Sequence, residues 1–153
     1  MKSRLDYLKT APKAIKGMLE LEKYVHQSTL DPILYELVKI RASQINGCAY
    51  CLDMHTKDAR QAGETEQRIY ALSSWHETSF YCERERAALK WTEALTKISE
   101  NDVSDALYNE MLAHFNEEDL VTVTMAIVAI NGWNRLAISF RSVPGSYKPE
   151  LAK

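Results

Sequence analysis

Helical periodicity runs through almost the whole of this 153-residue chain and constrains its fold more than any other feature. Start and stop signals divide the periodic pattern into separate helices. Asp31 followed by Pro32 is typical of a helix N-cap and first turn, and Asn46-Gly47 is typical of a helix end. No part of the sequence combines strand-like alternation with the turn residues of a β-hairpin. The sequence therefore predicts an all-α fold.

The same signals predict about six to seven helices in a single domain over residues 1–153, since no repeat, low-complexity tract or linker divides the chain. The first helix begins at Pro12, and the second runs from Asp31 to about Ile45. The later helices are predicted over about residues 48–62, 65–75, 82–98, 104–115 and 117–140.

Composition and charge narrow the classes of function. The chain is 46% hydrophobic and 26% charged, which is typical of a globular protein, and its formal charge of −2 gives no reason to expect nucleic acid or an anionic membrane as a partner. The most apolar stretch, Val121 to Ile130, is shorter than the roughly 20 residues that cross a bilayer. The N-terminus lacks the apolar core of a signal peptide. Three cysteines provide no disulfide framework, so we expect a protein of the reducing cytoplasm.

The stretch NGCAYCLDMH, over residues 46–55, places two cysteines and a histidine on one face of a predicted helix. With Cys48 at zero on a helix that turns about 100° per residue, Cys51 falls at about −60° and His55 at about −20°. The two cysteine Cα atoms would then lie roughly 5 Å apart, within the range of a disulfide. The first helical turn favours a thiolate, and His55 lies one turn from Cys51, where it can accept the thiol proton. The arrangement is typical of a redox dithiol.

Glu36 lies among apolar positions of the preceding predicted helix, where a carboxylate is costly unless it has a partner. A short Asn46-Gly47 turn would fold the two helices back on each other and bring Glu36 to His55. The carboxylate would then orient the imidazole and stabilise its charged form. Together with the two cysteines, this pair would form a proton relay that ends in a redox couple.

Glu36, Cys48-Ala49-Tyr50-Cys51 and His55 resemble the active-site signature of the alkylhydroperoxidase AhpD-like proteins, within the carboxymuconolactone decarboxylase superfamily. The resemblance covers about residues 10–145, and its clearest segments are ELVKIRASQINGCAYCLDMHTKDAR and AINGWNRLAISF. It implies an all-helical fold that assembles into trimers or hexamers, and a dithiol that reduces peroxides. In better-studied members a second histidine lies between the cysteines, where this chain has Tyr50. That departure leaves the relay intact.

On this resemblance we expect a thiol-dependent peroxidase that reduces alkyl or hydrogen peroxides and needs no cofactor or metal. Its partners would be the peroxide, an external dithiol reductant and further copies of the chain. We expect Cys51 to attack the peroxide because it lies one turn from His55. Cys48, at the helix tip, is expected to be better exposed to the reductant.

Three alternatives are also compatible with the sequence. A decarboxylase-type or lactone reaction would use Glu36 and His55 as an acid–base pair without the cysteines. A redox sensor would switch its dithiol without turnover. A structural zinc protein would use Cys48, Cys51 and His55, with Glu36 or Cys82 as the fourth ligand, although the sequence has no second CxxC pair.

The other polar residues carry weaker indications. Cys82 precedes a predicted helix with Glu85 at its third position, so we expect a weak cap or a half-buried thiol rather than a site residue. Asn131, Asn134 and Arg135 lie near the end of the long apolar helix, where they are expected to bond neighbouring helices or another subunit.

Overall fold

The computed structural model describes residues 1–149, and within them the chain forms eight α-helices, one 3-10 helix and no strand. The prediction of an all-α fold is confirmed, whereas the count of six to seven helices is too low. Residues 150–153 of the predicted domain lie outside the described residues. The elements are α1 (Tyr7–Thr10), α2 (Pro12–His26), α3 (Pro32–Asn46), α4 (Ala49–Gln61), α5 (Glu66–Ala71), the 3-10 helix (Leu72–Glu77), α6 (Glu83–Thr96), α7 (Asp105–His114) and α8 (Glu117–Phe140).

The additional elements are short ones that carry too few residues for a periodic pattern. Helix α1 has four residues, and it begins where the Asp6 carboxylate accepts a hydrogen bond from the Lys9 backbone N–H at 3.1 Å. The helix predicted over residues 65–75 divides into α5 and the 3-10 helix, which contains a residue with non-helical backbone angles at Ser74. Local capping and a kink therefore account for the difference in count.

Helix α3 lies at the centre of the molecule and packs against α4, α6 and α8. Leu37, Val38 and Ile40 are fully buried. Because one helix contributes to the apolar clusters on more than one side, side chains all around α3 are buried, and polar residues in it must find partners inside the protein.

The turn between α3 and α4 fixes where the cysteines lie. Gly47 ends α3 with a φ of 69°, in the left-handed region that glycine adopts without strain. The side-chain amide of Asn46 donates to Asn131 Oδ1 at 3.0 Å and to Asn134 Oδ1 at 2.8 Å, both on α8. Asn134 in turn donates to Ser43 Oγ at 3.1 Å. The expectation that the asparagines of α8 bond a neighbouring helix is confirmed, and these bonds hold the turn against α8.

Helix α8 spans the predicted range of residues 117–140 and extends beyond the apolar stretch from Val121 to Ile130 on both sides. Its 24 residues have the length and composition of a membrane-spanning helix, with a mean hydropathy of 1.3 in the most apolar window, but 44% of that window is buried inside the protein. One helix of this kind is weak evidence for a membrane span, because the core helix of a globular protein can have the same length and composition.

Cys82 lies at the N-cap of α6, and its thiol is exposed rather than half-buried. The backbone N–H of Cys82 donates to Glu85 Oε2 at 2.8 Å, which is the glutamate half of the predicted capping box.

Candidate active site

The two cysteines lie at the start of α4, as the spacing predicts. Cys48 is the N-cap residue and Cys51 follows in the first turn. The two sulfurs form a disulfide, with Cα atoms 5.4 Å apart. The Cys51 backbone N–H points at the Cys48 sulfur, with 3.4 Å between nitrogen and sulfur. A dithiol at this position can therefore close with the backbone geometry that the helix already has.

The predicted contact between Glu36 and His55 is present. Glu36 Oε2 lies 2.9 Å from His55 Nδ1, and both side chains are buried. The contact joins α3 to α4 across the Gly47 turn, so its cause is the antiparallel packing of the two helices. With Nδ1 held by the carboxylate, the imidazole has a fixed orientation, and its Nε2 is the nitrogen left to exchange a proton with another group.

A second carboxylate lies beside this pair. Asp58 Oδ2 is 3.9 Å from His55 Nδ1, and the Tyr147 hydroxyl donates to Asp58 Oδ1 at 2.8 Å. Burial raises the pKa of Asp58 above its ordinary value, and the charge of Glu36 raises it further, although the bond from Tyr147 opposes the shift. Sequence reasoning did not find Asp58, because one of several acidic residues on a helix gives no signal of its own.

A cavity of about 250 Å³ lies at Cys51 and His55. Its walls are mainly apolar, with Leu19, Met54 and Trp133 among the residues that line it. A more open and more polar cleft of about 860 Å³ lies on the side of Glu36 and Asp58, and His55 lines both spaces. The imidazole therefore stands between an apolar chamber at the sulfur and a polar cleft at its carboxylates.

The expectation that Cys48 is the better exposed cysteine is wrong. Cys48 is 1% exposed and Cys51 is 3% exposed, and of the two only Cys51 lines the cavity of about 250 Å³. Cys48 packs with Ala42, Ile130 and Ala137. The helix tip is covered because the Asn46 bonds draw the turn against α8, which a reading of α4 alone does not reveal.

An ion pair between a buried lysine and a partly exposed glutamate, in the wall of the same cavity, escaped the sequence reasoning. The Lys39 ammonium contacts the Glu22 carboxylate, which also accepts from the Tyr35 hydroxyl and, at 3.0 Å, from Trp133 Nε1. Burial by itself would raise the pKa of Glu22, but the charge and hydrogen bond of Lys39, with the bond from Tyr35, lower it below the ordinary value. The available signal was a lysine within the buried run ELVKI; its partner lies on another helix, at no characteristic spacing.

The ligands of the alternative zinc site do not form one cluster in this structure. Among the described residues, the donor atoms that lie within 4.8 Å of one another belong to Glu36, His55 and Asp58, without a cysteine. The Cys48 and Cys51 sulfurs are joined to each other, and Cys82 lies apart at the head of α6. The close pair of Glu36 and His55 Nδ1 is explained by orientation of the imidazole, so we assign no metal site.

A family model for the carboxymuconolactone decarboxylase family matches residues 10–94, which is more than half of the chain and contains Glu36, both paired cysteines and His55. The chain belongs to this family. The uncharacterized protein YdfG of Bacillus subtilis (strain 168) is 48% identical over 139 residues, which cover 91% of this chain and 95% of YdfG.

Solved structures place the chain among the AhpD-like members of the family. ATU0492 of Agrobacterium tumefaciens, a protein of unknown function for which a role as the antioxidant defence protein AhpD has been suggested, is 46% identical with a TM-score of 0.91, covering 95% of this chain and all of ATU0492. The debrominase Bmp8 is 20% identical with a TM-score of 0.80, covering 91% of this chain and 75% of Bmp8. Bmp8 shares the fold, and at this identity the likeness extends no further.

Proposed function

We propose that this AhpD-like protein is a thiol-dependent peroxidase that reduces organic or hydrogen peroxides through the Cys48–Cys51 dithiol. One observation carries the proposal: Cys51 and His55 line the same cavity, His55 Nδ1 contacts the Glu36 carboxylate, and Cys48 lies within disulfide distance of Cys51. A nucleophile, a general base with its orienting group, and a resolving thiol are the parts that such a reaction needs.

In the proposed first step, His55 takes the proton of the Cys51 thiol. The thiolate attacks one peroxide oxygen, the O–O bond breaks, and Cys51 becomes a sulfenic acid. The departing alkoxide takes the proton back from His55 and leaves as an alcohol, or as water when the substrate is hydrogen peroxide. Glu36 orients the imidazole and stabilises its charged form while it holds that proton.

In the second step, the Cys48 sulfur attacks the Cys51 sulfenic acid, forms the disulfide and releases water. An external dithiol then gives up two electrons and two protons, restores both thiols and becomes a disulfide itself. The position of Cys51 on the cavity supports its role as the attacking residue and makes it the accessible sulfur for the reductant. The need for a reductant favours a reducing compartment, so the proposal includes the cytoplasm. It also includes assembly into homo-oligomers, which the resemblance to AhpD-like proteins implies.

Turnover in the presence of both substrates tests the proposal. Purified protein with dithiothreitol and cumene hydroperoxide should consume peroxide continuously, and Cys51→Ser should abolish that consumption. Cys82→Ser is the matched control and should retain it, because Cys82 lies outside the site. Reversible oxidation without continuous consumption would contradict the peroxidase and favour a sensor.

The order of the two cysteines needs its own measurement. A dimedone adduct should form in Cys48→Ser, where the Cys51 sulfenic acid persists, and not in Cys51→Ser. An adduct that forms only when Cys48 is retained would reverse the assignment.

The buried pair of Glu36 and His55 could also serve as the acid–base pair of a decarboxylase-type reaction, which is the reaction for which the family is named. Such a reaction would not need the dithiol. Activity on a carboxylated lactone that survives Cys51→Ser would favour this second function over the first.

A further inference from the structure

The Lys39 ammonium is a buried charge in the wall of the cavity that contains Cys51. Its side chain is 3% exposed, and it lies 4.1 Å from the centre of the Tyr35 ring. A buried charge is costly, and an apolar pair of similar volume can often replace a buried ion pair without loss of stability. Packing alone therefore gives a weak reason for a lysine at this position.

Glu22 keeps that ammonium in place. Its Oε1 accepts from both Lys39 and Tyr35, and its Oε2 accepts from Trp133 Nε1 at 3.0 Å. Three donors on one carboxylate hold it in its charged form and in one position. An ammonium has three N–H groups, so the bond to Glu22 leaves donors for the cavity.

The remaining titratable groups around this cavity are few. Tyr7 of α1 and Tyr50 of α4 line it, His55 lines it with Glu36 and Asp58 behind the ring, and α8 contributes no charged side chain. Among the described residues that line the cavity, Glu22 and Lys39 are thus the permanently charged ones. The pair also lines the more open polar cleft, but on the side of Cys51 the walls are mainly apolar, where the field of a charge is screened less than in water.

We propose that Lys39 is an electrostatic positioning residue, whose ammonium favours the thiolate form of Cys51, and that Glu22 anchors the ammonium and moderates its effect. The effect on the thiolate stands independently of turnover. Its consequence for peroxide reduction rests on the proposed function, because the thiolate is the species that attacks and the alkoxide that departs is also an anion.

The pH at which Cys51 becomes reactive tests this inference without any peroxide. The protein would carry Cys48→Ser and Cys82→Ser, so that Cys51 is the single thiol, and its alkylation by iodoacetamide would be followed against pH. Lys39→Met should move the midpoint upward by about one pH unit, since it removes a nearby positive charge. Glu22→Gln should move it downward, since it removes the opposing negative charge.

Arg41→Met is the matched control. Arg41 lies two residues further along α3 and pairs with Glu93 at 2.8 Å, and it does not line the cavity. Its loss should leave the midpoint unchanged. An unchanged midpoint in Lys39→Met would overturn the inference. An equal upward shift in Lys39→Arg would also overturn it, because lost packing rather than lost charge would then be the cause. If Lys39→Met does not fold, Lys39→Arg keeps the charge and should keep the midpoint. Glu22→Gln then tests the direction in which removal of a charge moves the midpoint.

Turnover supplies a second readout that separates this inference from the proposed function. With both paired cysteines present, Lys39→Met should consume cumene hydroperoxide about tenfold more slowly at pH values well below the native alkylation midpoint, in line with a shift of about one unit, and should recover above the new midpoint. If Lys39→Met shifts the alkylation midpoint but the native protein does not reduce peroxide, the proposed peroxidase function is contradicted and the electrostatic role of Lys39 is retained.

Discussion

At the scale of single residues, the candidate site depends on a carboxylate that holds an imidazole. Glu36→Gln keeps a side chain that can bond His55 Nδ1, but it removes the charge that stabilises the protonated ring. We expect peroxide turnover to fall by about 10² or more while the helical content is unchanged. Glu66→Gln is the control, because Glu66 is 63% exposed on α5 and lies outside the site. Equal rates of peroxide turnover in the native protein and in Glu36→Gln would show that Glu36 has no role in the relay.

The Glu22 carboxylate should make stability depend on pH. Its pKa lies below the ordinary value of 4.5 in the folded protein, so it contributes stability that is fully present above pH 4.5 and is lost as the pH falls through the folded pKa. In urea denaturation, the free energy of unfolding of Glu22→Gln should therefore fall less steeply than that of the native protein as the pH is lowered below 4.5. Parallel declines in the two proteins would contradict the lowered pKa.

The contact between Glu36 and His55 could be predicted from sequence, because both residues lie on helices joined by a two-residue turn, and local geometry brings them together. The contact between Lys39 and Glu22 could not. It depends on how α2 packs against α3, and that packing is set by non-local contacts that leave no spacing signal. The exposure of Cys48 was mispredicted for the same reason, since α8 covers it from a distant part of the chain.

At the scale of elements, the turn that joins α3 to α4 sets the position of the dithiol. Gly47 has a φ of 69°, which an alanine adopts only with strain. Gly47→Ala should lower the free energy of unfolding by about 1 kcal/mol in urea denaturation. Gly17→Ala is the matched control, since Gly17 lies within α2 with no neighbouring atom within 4 Å of an added methyl group, and it should raise stability by up to about 1 kcal/mol. The reverse order of the two effects would contradict the strained turn.

Helix boundaries were predictable where caps mark them. Asp31 accepts from the Leu34 N–H at 2.8 Å, and Asn116 accepts from the Asp119 N–H at 2.8 Å, so the starts of α3 and α8 follow from local chemistry. The four-residue α1 was not predictable, because a single turn has no periodicity and is held by contacts to the far end of the chain. The Arg4 backbone N–H, for example, donates to the Phe140 carbonyl oxygen at 2.9 Å.

At the scale of the whole molecule, one face of α8 is left uncovered by residues 1–149, which the structure describes. Val121 is 57% exposed and Val128 is 50% exposed, and the two residues lie two turns apart on the same side of the helix. We expect this face to pack against other copies of the chain. Light scattering at micromolar concentration should give a trimer or larger species, and Val128→Asp should give a smaller one. A native protein that is monomeric under these conditions would contradict the expected assembly.

If Cys48 and Cys51 form a dithiol that peroxide oxidises, the mass of the reduced protein must change when peroxide is added. After one equivalent of cumene hydroperoxide, we expect a loss of about two mass units, mapped to the peptide that contains Cys48 and Cys51 and reversed by dithiothreitol. An unchanged mass with both thiols still free would contradict it.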